Sequence, residues 1–115
     1  MENEVRMLHF LRHPNIVLLM GVNPDISNIM IVTELVQNGT LFDLLHNSKK
    51  ELPFPRRAAI AFEIALTYKF MHSAGVVHRD VKTYNVLLDN QLHIKVCDFG
   101  LARFEVVKVL RFRKN

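Results

Sequence analysis

The stretch RRAAIAFEIALTYKFMHSAG, residues 56–75, constrains the fold more than any other. Its apolar residues recur every three or four positions, which predicts one long helix. KKELPFP breaks the pattern ahead of it, and Gly75 reads as its stop. Ala58, Phe62, Ala65, Leu66 and Met71 are the expected core face. The flanking residues favour strands. NIVLLMGV and IMIVTELV are rich in β-formers, and NPDISN between them has turn chemistry, so they predict an antiparallel hairpin. NVLL and LHIKVC predict a second hairpin, turned at Asp89 and Asn90. At the start, Val5, Met7, Leu8 and Leu11 have helical spacing, with a stop near Arg12 because Pro14 follows. Thr40 is the expected cap of a short helix, LFDLLH. The pattern as a whole is α+β.

With 115 residues, 50% hydrophobic and 23% charged, the chain has the balance of a globular protein with one core. No apolar run approaches the roughly 18–20 residues that cross a bilayer. MENEVRM lacks the basic and apolar regions of a signal peptide, so the expectation is a cytoplasmic protein. Cys97 is the single cysteine, which forbids an internal disulfide and fits a reducing compartment; its simplest reading is a small buried apolar residue. The net charge of +4 is spread over Arg6, Arg12, Lys49, Lys50, Arg56 and Arg57 and gathers only in the tail KVLRFRKN. That distribution argues against a nucleic-acid or membrane partner. His9 and His13 stand four apart without a third ligand in view, and read as solvated surface.

HRDVKTYN, residues 78–85, is where the pattern turns chemical. Taken singly, Asp80 or Asn85 in a polar loop would be a turn former. If the second hairpin brings Asn85 beside Asp98, however, an amide oxygen and a carboxylate share one cleft, a pair suited to Mg²⁺. Asp80 could then take a proton from an incoming hydroxyl, and Lys82 could offer positive charge to a phosphoryl group.

The chain resembles the protein kinase family. His78 to Asn85 fits H-R-D-L-x-x-x-N with Val81 in place of Leu, and Asp98-Phe99-Gly100 supplies D-F-G in the right order. The resemblance implies ATP and Mg²⁺ as cofactors and a protein as acceptor substrate. It makes Asp80 the catalytic base, Lys82 a contact of the γ-phosphate, and Asn85 and Asp98 the metal ligands. Lys82 follows the Ser/Thr-specific pattern. By the same resemblance Thr33 is the gatekeeper, the Glu34 carbonyl and Val36 amide face adenine, Asp43 lies near the ribose and Leu87 under the ring. Leu8, Leu19, His78 and Phe99 fall at the positions of the hydrophobic column that links the two lobes. Glu4 sits where the small-lobe helix carries its glutamate, although an early-helix glutamate is also an ordinary solvated residue. RHPNIVLLMG, GTLFDLLH and KVCDFGLAR look most like the tyrosine-kinase-like branch, with its Raf-like and mixed-lineage enzymes.

The implied architecture is a partial kinase fold: the end of the small-lobe helix, a strand hairpin, the hinge, two large-lobe helices, the catalytic loop, a second hairpin and D-F-G. Residues 1–33 would be a small-lobe remnant, 34–104 the hinge and first part of the large lobe, and 105–115 a divergent basic tail. Neither G-x-G-x-x-G-x-V nor V-A-I-K occurs in the 115 residues, and no A-P-E follows Gly100. The expectation is an incomplete domain that is inactive and aggregation-prone alone, with IVLLMGV and VVKVL as exposed β-prone segments. The rival reading is a non-catalytic kinase-like fragment that docks on another protein.

Overall fold

A computed structural model describes residues 2–23, 25, 27–28, 30–47, 49 and 51–104. The basic tail and its VVKVL segment lie outside the described residues. In chain order the elements are α1 (Glu2–Phe10), β1 (Leu19–Asn23), β2 (Met30–Thr33), α2 (Leu41–His46), α3 (Phe54–Ser73) and β3 (Val76–Val77). A 3₁₀ turn (Thr83–Asn85), β4 (Val86–Leu88), β5 (Ile94–Val96) and β6 (Arg103–Phe104) complete them. The α+β class follows the sequence pattern.

The β4–β5 hairpin is the centre of the molecule. Val86, Leu88, Ile94 and Val96 point into the core, while Leu87 and Lys95 alternate to the opposite face. Both edges of the hairpin are covered. On the β4 edge, Leu88 donates to the Gly39 carbonyl at 2.9 Å and Asn38 donates to the Leu88 carbonyl at 3.1 Å. Against β5, Ile16 forms a parallel bridge with Val96, with the Val96 amide 2.8 Å from the Asn15 carbonyl. Residues 15–17 therefore leave the expected first hairpin, which contains only β1 and β2. The reason is competition: the β5 edge offers these residues backbone partners in the core.

α3 has Pro53 at its N-cap and Pro55 in its first turn, and Gly75 just past its end adopts φ +78°. Its buried stripe is Ile60, Thr67 and Met71, with Ile64 and Tyr68 partly covered. Ala58, Phe62, Ala65 and Leu66 face solvent, Phe62 being 66% exposed, so of the expected core face only Met71 is buried. Large apolar residues lie on both faces of the helix, and periodicity alone does not choose between them. The Ile60–Met71 stripe wins because β3 and β5 pack there. α1 buries Met7 and Leu8, and Leu11 just past its end is buried as well, while Val5 of the expected face is only partly covered. His13 is half-buried rather than solvated: its ring lies 4.6 Å from that of Phe70, and its Nδ1 accepts the Asn15 amide at 3.1 Å. One pairing has no counterpart in the sequence pattern, that of β3 with β6 through Val76–Phe104 and Val77–Arg103.

Candidate active site

His78, just past β3, organises the loop that follows. The ring is buried, and its Nδ1 accepts the Asp80 backbone amide at 3.2 Å. With that nitrogen accepting, the ring proton belongs on Nε2, which donates to the Cys97 carbonyl at 2.9 Å. One imidazole thereby ties the backbone of Asp80 to the residue before Asp98. Phe99 packs edge-on against the same ring with centroids 5.0 Å apart. Leu8, His78 and Phe99 of the expected column are buried, and Leu19 is partly so. Of the three described non-glycine residues with left-handed backbones, two flank this site, Arg79 (φ 68°) and Asp98 (φ 57°), and the third is Leu92 in the β4–β5 turn. Arg79 is held there by its Nε, which donates to the Leu101 carbonyl at 2.8 Å.

The turn that carries Asn85 brings the candidate residues together. Asn85 is buried, and its Nδ2 donates to the Asp80 carbonyl at 2.8 Å and to Asp80 Oδ2 at 3.0 Å. Lys82 Nζ stands 3.5 Å from the other Asp80 oxygen. The Asn85 carbonyl accepts the Cys97 amide at 3.0 Å, extending the β4–β5 ladder one rung so that Asp98 follows directly. Because the Asn85 nitrogen makes both contacts with Asp80, its side-chain oxygen has no hydrogen-bond donor among the described residues. The Asp98 side chain is exposed. Those two oxygens fit a hard cation that keeps several waters. Among the described residues no trio of His, Cys, Asp or Glu forms a closed metal cage.

Glu4 on α1 belongs to the same cluster. Burial raises its carboxyl above the usual range, and the Asp98 carboxylate raises it further. Among the described residues no ion pair reaches Glu4. Burial likewise pushes the Cys97 thiol up to about 11, helped by the Asp98 and Glu4 carboxylates, so this half-buried cysteine stays a neutral thiol.

Of the remaining candidates, Thr33, Glu34 and Val36 lie at or just past the end of β2, Leu87 on β4 and Asp43 on α2. Thr33 ends β2, and its hydroxyl donates to the Glu34 carbonyl at 3.3 Å. Val36 packs at the edge of the core, and Leu87 occupies the opposite face of β4 from the core. Glu34 and Val36 line a cavity of about 310 Å³ with Gln37, Asp89 and Lys95. Asp43 stands apart from the other candidates. It lines a separate cavity of about 720 Å³ between α2, the start of α3 and the β4–β5 turn, and its Oδ1 accepts the Asn47 side-chain amide at 3.1 Å.

Glu63, not among the residues expected from the sequence, is a hub. Its Oε1 accepts the Ile94 amide at 2.8 Å and the Asn15 side-chain amide, and its Oε2 lies 3.3 Å from His93 Nδ1. A lone carboxylate in the apolar run AFEIA was the available signal, since such a group needs partners.

Residues 1–110 match the family model of protein tyrosine and serine/threonine kinases. The chain belongs to the protein kinase family. It is 46% identical over 105 residues to a leaf rust 10 disease-resistance locus receptor-like protein kinase of Arabidopsis thaliana, covering 88% of this chain and 16% of that protein. Against the serine/threonine-protein kinase CTR1 of the same plant the identity is 42% over 106 residues, 89% of this chain and 13% of the relative. A probable serine/threonine-protein kinase of Dictyostelium discoideum is 40% identical over 102 residues, 89% of this chain and 11% of the relative. This kinase chain thus spans between 11% and 16% of the length of these three relatives. Its H-R-D and D-F-G segments are the ones joined by the hydrogen bonds of His78 and Asn85 to Cys97.

Proposed function

We propose that these residues form part of a kinase domain that transfers the terminal phosphoryl group of ATP to serine or threonine hydroxyls of proteins. The observation that carries this reading is the Asn85 amide bridging to the Asp80 carboxylate, one ladder rung from Asp98. It holds Asp80 where an acceptor hydroxyl can lose its proton to the carboxylate. Lys82, already 3.5 Å from that carboxylate, supplies positive charge beside the transferring group. The Asn85 oxygen and the Asp98 carboxylate would hold Mg²⁺. When bound, that ion neutralises charge on the nucleotide's phosphates. Thr33, the Glu34 carbonyl, the Val36 amide and Leu87 would form the adenine slot, with Asp43 toward the ribose. Glu4 would await a cationic partner from outside the described residues.

In this reading residues 1–33 belong to the small lobe and 34–104 to the hinge and large lobe of a tyrosine-kinase-like, cytoplasmic enzyme. Serine/threonine specificity draws support from Lys82 and from the names of the relatives. The 115 residues alone transfer phosphate at no measurable rate. Radiolabelled ATP and a protein acceptor test both statements. A complete domain carrying this segment labels the acceptor on serine or threonine, Asp80→Asn abolishes the labelling, and the 115-residue chain gives none. Labelling that survives Asp80→Asn would overturn the assignment.

A further inference from the structure

Lys95 sits at the middle of β5, directly across from Leu87. Opposed residues of an antiparallel pair share a face, so the two side chains emerge together on the side turned away from the core. Lysine normally keeps its ammonium in water. Here the Lys95 side chain is only 20% exposed, and its Nζ lies 3.1 Å from Glu34 Oε1. That same oxygen accepts the Leu18 amide at 3.0 Å, and the Glu34 amide donates to the Leu18 carbonyl at 2.9 Å. One carboxylate therefore fastens three segments: the approach to β1, the hinge just past β2, and β5.

β1–β2 and β4–β5 are separate sheets, so no ladder joins the hinge end of β2 to β5. The Thr40–Leu87 bridge fixes the far end of the hinge against β4. At the near end, the Glu34–Lys95 contact does so. We propose that Lys95 is a positioning residue for the nucleotide, setting the gap between the hinge backbone at Glu34–Val36 and the Leu87 face of the β4–β5 hairpin. The inference rests on the phosphotransferase reading above, because that gap is its adenine slot. The phosphate end is held independently by the bonds among Asp80, Asn85 and Cys97. Lys95 should therefore act on adenine recognition and leave phosphate recognition unchanged.

The test compares wild type, Lys95→Met and Lys95→Arg in a complete kinase domain carrying this segment, by amide hydrogen exchange and by titration with adenosine and with Mg²⁺-tripolyphosphate. Lys95→Met is expected to speed exchange at Leu18 and Glu34 while leaving the α3 amides as in wild type. Adenosine affinity should fall about tenfold, tripolyphosphate affinity should hold, and Lys95→Arg should restore both readouts. Unchanged exchange in Lys95→Met overturns the proposal, as does a general rise that includes α3 or an equal loss of both affinities. Wild type that binds neither ligand, with exchange at Glu34 still faster in Lys95→Met, retains the strut and overturns the phosphotransferase reading beneath it.

Discussion

Asn85 places both of its side-chain amide contacts on Asp80 while its backbone carbonyl holds Cys97, so one residue sets Asp80 and the approach to Asp98 together. Asn85→Ala should cost about 1–3 kcal/mol of stability by leaving buried partners unsatisfied. In a complete domain it should lower phosphoryl transfer roughly a hundredfold or more, which steady-state kinetics would read. Tyr68 offers the opposite case. Its hydroxyl is buried without a hydrogen-bond partner among the described residues, and burial pushes its pKa up to about 12. Tyr68→Phe is therefore expected to stabilise the protein by about 1 kcal/mol, seen as slower proteolysis of the dilute chain. Glu4 makes a pH prediction. Its folded-state pKa lies above 4.5, so folding favours the protonated carboxyl; that contribution is present below about 4.5 and is lost as pH rises through the raised value. A carbon-detected titration of the Glu4 carboxyl should show the raised midpoint, and Asp98→Asn should lower it; a midpoint indifferent to Asp98 would contradict the proximity of the two acids.

At the scale of elements, α3 shows what the sequence could and could not convey. Its existence and its C-terminal stop were legible because Gly75 acts locally on the backbone, whereas it starts at Phe54, inside the KKELPFP break, because Pro53 and Pro55 suit an N-cap and a first turn. Its buried face was not, since Phe62 and Leu66 are as apolar as Ile60 and Met71, and only the position of the neighbouring strands decides. Met71→Ala should accordingly cost about 2–5 kcal/mol, and Phe62→Ser less than about 0.5 kcal/mol, as read from protease susceptibility. The catalytic-type loop was legible because its spacing is itself a local constraint: five residues from Asp80 to Asn85 close one turn whose hydrogen bonds are internal. The Lys95 and Glu63 contacts and the two-residue ladder of β3 with β6 were hidden, because each joins segments far apart in the chain.

For the whole molecule, the distribution of apolar surface decides how the 115 residues behave alone. Met20 and Val32 of the β1–β2 hairpin are 67% and 51% exposed, and Phe62 and Leu66 of α3 are 66% and 46% exposed. Such surface on a two-stranded sheet with open edges favours association. The isolated chain should therefore elute as oligomers, and replacing Phe62 and Leu66 by serine should increase the monomer fraction in light scattering. A monomeric wild-type chain with a cooperative melting transition would contradict this. The convergence of Asp80, Asn85 and Asp98 on one cation and one nucleotide is the larger claim. It is tested most directly by paramagnetic broadening with Mn²⁺-ATP in a complete domain carrying this segment. The amide signals of Asn85, Cys97 and Asp98 should broaden together and recover in Asp98→Asn; broadening centred elsewhere, or none at Asn85 and Asp98, would contradict it.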